Sequence, residues 1–204
     1  MISNKERDMN ILVVFSHPNR QSLNGEFLNK TLEGLRLNPA ATEVKVLDLY
    51  SDGFDPALKF GEDKKRREMY RDPAFTDYRA QLSEADVLVF IYPIWWGRPP
   101  AMLLGYIDQL FASDFAYHQV PGRIMPEGLF KGKRAICIST MKGPGGYLFF
   151  MQRNAHKILM KRAVFGFVGI RSVRFFEFGN MEKENGRQAA NLGRIKKYMM
   201  QLTK

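Results

Sequence analysis

The sequence predicts a three-layer, doubly wound α/β protein built on five parallel strands, and three observations predict it. Short runs rich in β-branched and other apolar residues recur at 10–15, 43–49, 87–92, 134–140 and 172–178. Stretches with apolar residues at helical spacing alternate with them. Such alternation, with right-handed crossovers, gives a parallel sheet covered by helices on both faces. Loops rich in Gly, Pro and aromatic residues follow the first, third and fourth runs. The carboxyl edge of an open α/β sheet is where ligands bind.

Each element has its own local reason. Asn10–Phe15 is an apolar run of the kind buried on both faces of a parallel sheet. Ser22–Leu35 sets Leu23, Phe27, Leu28, Thr31, Leu32 and Leu35 at helical spacing, with Ser22 as N-cap. Glu43–Leu49 alternates Val44, Val46 and Leu47 with charge, a second strand. Residues 50–80 are polar and irregular, carry a Lys-Lys-Arg-Arg cluster at 64–67, and are long enough for a functional surface loop. Phe75–Ser83 reads as a short helix and Val87–Tyr92 as the third strand. Pro99 and Pro100 open an amphipathic helix ending at Phe111. Arg134–Thr140 is the fourth strand, Tyr147–Val164 a helix with a basic face, Ser172–Phe178 the fifth strand and Glu184–Leu202 the last helix.

Composition narrows the class. With 204 residues, 45% hydrophobic and 25% charged, the chain suits one soluble globular domain with a good-sized core. Residues 1–8 are a candidate disordered terminus, and 9–204 a single domain. The longest apolar stretches, such as Val87–Trp96, are too short to span a bilayer, and the N-terminus has no secretory h-region, so no membrane insertion is expected. The one cysteine, Cys137, sits in an apolar run; it allows no internal disulfide and fits a core position in a cytoplasmic protein. The net charge of +10 comes from residues 101–204, with 17 Lys/Arg against 6 Asp/Glu. That excess points to an anionic ligand or surface, or to a solvated basic face. No helix-turn-helix or aromatic RNA-binding signature is present, so nucleic acid is not an expected partner. His17, His118 and His156 lack metal-site spacing, and there is no Gly-x-Ser-x-Gly elbow.

In a sheet of order 2-1-3-4-5 the first, third and fourth strands adjoin, so their loops converge on one crevice. The first loop, Ser16–Asn24, leads into a helix N-terminus whose amides and dipole suit a phosphate. Ser22, Asn24 and His17 add side-chain donors, and plain turn chemistry with an N-cap is the alternative. Neither a Walker loop nor a Rossmann glycine fingerprint is present. The second loop, Tyr92-Pro93-Ile94-Trp95-Trp96-Gly97, can cover a flat ring with aromatic side chains while its amides meet the ring's polar edge; the alternative is a core-packed aromatic cluster. Adjacent tryptophans cannot both point inward from one strand, which argues against that alternative. In the third loop, Ser139-Thr140-Met141-Lys142-Gly143-Pro144-Gly145-Gly146-Tyr147, the glycines let backbone approach a ligand closely. Lys142 can counter negative charge there, and Tyr147 can donate from its hydroxyl; an ordinary glycine-rich loop is the alternative.

Taken together these residues resemble the flavodoxin-like NAD(P)H:quinone oxidoreductases. The resemblance runs from Asn10 to about Leu202 through Ser16-His17-Pro18 with Ser22 and Asn24, Asp48-Leu49-Tyr50, Phe54-Asp55-Pro56, Tyr92-Pro93-x-Trp95-Trp96, Pro99-Pro100-Ala101, Phe115-Ala116-Tyr117 and Leu129-Phe130-Lys131-Gly132-Lys133. It implies a flavodoxin-like fold, a tightly bound FMN or FAD, NAD(P)H as co-substrate, a quinone-like acceptor and a homodimer. By motif position His17, Ser22, Leu23 and Asn24 would hold the phosphate. Pro93, Ile94, Trp95, Trp96 and Gly97 would line the ring. Ser139, Thr140, Met141, Lys142 and Tyr147 would flank its polar edge, and Phe115, Tyr117 and Met125 would cover a partner's site. Two departures stand out. The family's Thr-Gly-Gly reads Thr140-Met141-Lys142, and its histidine six residues after the tyrosine is Arg153. Arg153 joins Tyr147 as a candidate catalytic residue, but a guanidinium stabilises charge rather than shuttling protons. A flavin-binding ancillary subunit of a transport system, with little turnover, is the alternative function.

Overall fold

The computed structural model describes residues 8–62, 65–181 and 186–204. In chain order its elements are β1 (Met9–Phe15), α1 (Leu23–Arg36), β2 (Ala41–Asp48), α2 (Thr76–Glu84), β3 (Val87–Pro93), α3 (Ala101–Leu110), β4 (Tyr117–His118), β5 (Glu127–Gly128), β6 (Arg134–Thr140), α4 (Tyr147–Phe150), α5 (Ala155–Ile158), β7 (Ser172–Phe178) and α6 (Gly186–Met200). The main sheet has the order β2-β1-β3-β6-β7, every pair parallel. Counted among its own five strands this is the expected 2-1-3-4-5, and the family's fold.

The alternation of side chains explains the three layers. Ile11, Val13, Phe15, Val89 and Ile91 face a core closed by Phe27, Leu28 and Leu35 of α1 and Ile195 and Met199 of α6. Leu12, Val14, Leu88, Phe90 and Tyr92 face the other core, with Leu82 of α2, Leu103, Tyr106 and Leu110 of α3, and Phe165. β3 lies at the centre and is buried along its whole length, which is why its sequence is continuously apolar. The edge strands β2 and β7 have exposed positions and alternate apolar with charged residues. Burying one large apolar side chain contributes roughly 1.5–3 kcal/mol. Phe27 stacks on Phe178 at 4.7 Å between ring centroids, pinning α1 to β7.

The structure differs from the sequence expectation in three places. The Tyr147–Val164 helix is not continuous. After α4 the chain turns left-handed at Arg153 (φ 49°) and Asn154 (φ 59°), then runs through α5 into a wide π-helical stretch, Leu159–Gly166. Asparagine tolerates that conformation, and a hydrophobic period cannot reveal it. A two-stranded antiparallel hairpin, β4 with β5, fills the long connection before β6. Its strands are too short to show a period of two. Residues 66–75 form two 3₁₀ turns, Arg66–Arg71 and Pro73–Phe75, anchored by buried Met69 and Phe75. The expected terminus 1–8, except Asp8, the Lys64 end of the basic cluster and the Glu184 start of the last helix lie outside the described residues. Among the described residues no helix is long and apolar enough to cross a membrane.

Candidate active site

The loops after β1, β3 and β6 meet at the carboxyl edge of the sheet, and hydrogen bonds tie them together. The Asn24 amide donates to Thr140 Oγ1 at 2.9 Å, joining the first loop to the third. The Ile94 N–H donates to the Thr140 carbonyl at 2.8 Å, joining the second to the third. The Ser16 N–H donates to the Ile91 carbonyl at 2.9 Å, joining the first to the root of the second. His17 and Trp95 face each other at 6.3 Å between ring centroids.

The first loop is shaped by its own polar groups. Ser22 caps α1 and accepts from the Gly25 N–H at 3.4 Å. His17 Nδ1 lies 3.0 Å from the Asn19 backbone nitrogen, 2.9 Å from the Asn19 carbonyl oxygen and 3.1 Å from Ser22 Oγ. In the tautomer that accepts at Nδ1, Nε2 carries the proton and is a donor. The first N–H groups of α1 have no intrahelical acceptors, so the loop ends in a cluster of donors with the positive end of the helix dipole behind it. Gly25 is required here, because a Cβ on it would lie 1.8 Å from the Arg20 carbonyl oxygen. Arg20 reaches across to β2, where its Nε pairs with Asp48 at 2.9 Å. Two buried polar atoms, Ser16 Oγ and Asn24 Oδ1, have no hydrogen-bond partner at the base of this loop.

The second loop is a tight hairpin. Trp95 and Arg98 exchange both backbone hydrogen bonds, at 3.0 and 3.1 Å, around Trp96 (φ 53°) and Gly97 (φ 70°). Positive φ at both central residues is the type I′ turn, and for a tryptophan it is strained. The turn turns Trp96 out to 94% exposure and leaves Trp95 44% exposed. Neither indole is a core residue. Gly97 is backed by Gln152, whose Oε1 would lie 2.1 Å from an added Cβ.

The third loop is anchored on β7. Met141 N–H donates to the Phe178 carbonyl at 2.8 Å, and the Gly143 carbonyl accepts from the Asn180 N–H at 2.9 Å. Ser139, Thr140 and Met141 are buried, so of the expected polar-edge residues Lys142 and half-exposed Tyr147 reach the surface. Arg153 is exposed, but it stands in the left-handed break rather than on one helix with Tyr147. Phe115 and Tyr117 pack inward, edge-on to Phe130 at 5.4 Å and to Phe167 at 4.8 Å, while Met125 stands exposed.

Sequence reasoning missed two arrangements. One is the Arg20–Asp48 pair beside the first loop. The other is a buried chain, Tyr92–His156–Glu177, under the second and third loops. Their members lie far apart in sequence, and only the topology brings them together. Burial pushes the Tyr92 phenol well above its ordinary value. Burial alone would raise the Glu177 carboxyl, but hydrogen bonds from His156 and Lys157 outweigh it and hold the group below the ordinary carboxylate range. Cys137, beside Tyr92, is an inert core thiol, pushed up to about 12 by burial. Among the described residues no group of three or more His, Cys, Asp or Glu is placed to hold a metal ion.

Residues 9–201 match the family described as having a flavodoxin-like fold. The crystal structure of Smu.1420 from Streptococcus mutans is 33% identical, with a TM-score of 0.86, covering 95% of this chain and 100% of that one. An uncharacterised NAD(P)H oxidoreductase of Haemophilus influenzae is 27% identical over 174 residues, 85% of each protein. A ribosyldihydronicotinamide dehydrogenase-like protein of Penicillium crustosum is 31% identical over 157 residues, 66% of this chain, and the match spans 58% of that protein's length. The chain belongs to the flavodoxin-like fold family that contains these oxidoreductases.

Proposed function

We propose that this protein is a flavin-dependent NAD(P)H oxidoreductase acting on quinones or similar acceptors. The observation that carries the reading is the convergence of three hydrogen-bonded loops at the carboxyl edge of the sheet, which brings the donors of the α1 N-terminus, the tryptophan turn, Lys142 and Tyr147 to one edge. The residues fit a flavin. The α1 N-terminus, His17 Nε2, Ser22 and the Leu23 and Asn24 amides suit the phosphate. Unpartnered Ser16 Oγ and Asn24 Oδ1 leave polar capacity at the base of the crevice. The strained Trp96–Gly97 turn presents backbone beside Trp95, as a flat ring requires. The oxidoreductase names of its relatives support the same reading.

A bound flavin would supply two-electron redox chemistry between NAD(P)H and the acceptor. The chain's own residues bind and tune it. The Pro93–Gly97 turn would cover one face of the ring and exclude water from it. Exposed Lys142 would meet the ring's polar edge, where positive charge stabilises electron-rich states. Tyr147 Oη can hold a proton at the ring's rim. Arg153 stays protonated and acts through charge alone, so a Tyr–His proton relay has no counterpart in this chain. Exposed Trp96, Phe149, Phe150 and Met151 form apolar surface beside the crevice, which supports a homodimer closing over it. The lone buried Cys137 suits a cytoplasmic protein.

The test is reconstitution with FMN or FAD, followed by anaerobic NADH or NADPH. Bleaching of the flavin absorbance and its recovery on adding a quinone is the expected result. A reconstituted holoprotein that neither nicotinamide bleaches would overturn the enzyme reading. Chromatography of extracted flavin decides between FMN and FAD, and sedimentation reports the dimer.

A further inference from the structure

We propose that Tyr92, His156 and Glu177 form a buried strut that positions the α4–α5 segment against the second loop, making them positioning residues for ring binding. The inference rests on the flavin reading given above. The Glu177 carboxylate is acceptor-only, so His156 Nδ1 donates to its Oε1 at 2.8 Å. Nε2 of the same ring lies 2.9 Å from the Tyr92 hydroxyl, in hydrogen-bond contact with it. Lys157 completes the chain, with Nζ 2.6 Å from Glu177 Oε2. The His156 side chain is fully buried and that of Glu177 is 10% exposed. Phe175 packs edge-on against the imidazole at 6.0 Å.

The attachment points give the strut its role. Tyr92 is followed by Pro93 and the tryptophan turn, at the root of the second loop. Glu177 precedes Phe178, whose carbonyl holds Met141 at the root of the third. His156 lies two residues after Asn154, the second of the left-handed pair. The segment before that break, Phe149–Met151, is largely exposed, so little apolar packing holds it. Gln152, in the same segment, backs the tryptophan turn at Gly97. A strut from His156 to β3 and β7 therefore fixes the α5 end of the segment, as buried Leu148 fixes the α4 end, and through Gln152 it supports the turn that would cover the ring. Buried polar chains of this kind rigidify when every member is satisfied.

Limited trypsin digestion of the ligand-free protein, paired with FMN titration, tests the strut. The variants are Tyr92→Phe and His156→Leu, with His156→Gln as the conservative rescue because an amide can donate to Glu177 and accept from Tyr92. Cleavage after Arg153 is expected to speed up about tenfold in the first two variants, while cleavage after Arg66 and Arg67 keeps its wild-type rate. FMN dissociation constants should rise by about the same factor and recover in His156→Gln. Unchanged cleavage after Arg153, or equal acceleration at both places, would overturn the strut. Faster cleavage after Arg153 with unchanged FMN affinity would overturn its positioning role. Wild-type protein that binds no FMN would instead sink the flavin reading, and the positioning role with it, while the digestion still reports the strut.

Discussion

Two segments of this chain show the same amphipathic period and fold differently. Leu23–Arg36 forms α1, regular from its Ser22 cap and pressed on the sheet through Phe27, Leu28 and Leu35. Residues 147–166 form a short turn of helix, a left-handed break, another short helix and a π-helical stretch. The first segment presents amides at the donor-rich end of the crevice. The second carries Tyr147 and Arg153 at the surface and sets Gln152 against the tryptophan turn. A regular helix suffices where only its terminus meets the ligand. Where side chains from several turns are aimed separately, the helix is broken, and a buried polar chain joins the apolar packing of Leu148, Met160 and Phe165 in holding it.

The contrast can be broken from either side. The largest effect is expected from truncating matched aromatics. Phe27→Ala should cost about 4 kcal/mol in urea unfolding, because Phe27 is fully buried on Phe178. Phe150→Ala should stay within about 0.5 kcal/mol, since Phe150 is 77% exposed. Gly25→Ala follows, at about 3 kcal/mol, from the overlap with the Arg20 carbonyl, and should abolish FMN binding through the distorted first loop. The same substitution at two asparagines should then give opposite signs. Asn154→Ala should destabilise by about 1 kcal/mol, because alanine resists the left-handed conformation. Asn29→Ala, exposed within α1, should stabilise by about 0.5 kcal/mol through helix propensity.

The smallest effect concerns pH. The folded-state pKa of Glu177 is lowered. Its contribution is therefore complete above the unfolded carboxylate value of about 4.3 and is lost as pH falls through the lower folded one. Unfolding curves followed downward through that window should show a drop in the wild type that is smaller in Glu177→Gln. An equal drop in both would remove Glu177 from the account.

How much of this the sequence revealed depends on the range of each interaction. The strands were legible because double-sided burial of β3 demands a continuous apolar run, and half-exposed β2 and β7 an alternating one. The Ser22 cap and the outward-turned tryptophans were legible because they depend on near neighbours. The convergence of three loops followed from strand order, which the fold class implies. The break at Arg153–Asn154 was not legible, since apolar spacing continues through it. Nor were Arg20–Asp48 and Tyr92–His156–Glu177, whose partners meet only once the sheet has formed. The burial of Met141, expected at a ligand's edge, likewise follows from its backbone bond to β7.

The central claim is that the crevice at the carboxyl edge takes a flavin against the Trp95–Trp96 turn. Titration of the flavin-free protein with FMN, read by tryptophan fluorescence, addresses it most directly, because these are the only two tryptophans in the chain. The account predicts saturable quenching that weakens in Trp95→Phe and is lost from a Gly25→Ala protein that remains folded. Fluorescence that does not respond to FMN in the wild type would contradict it.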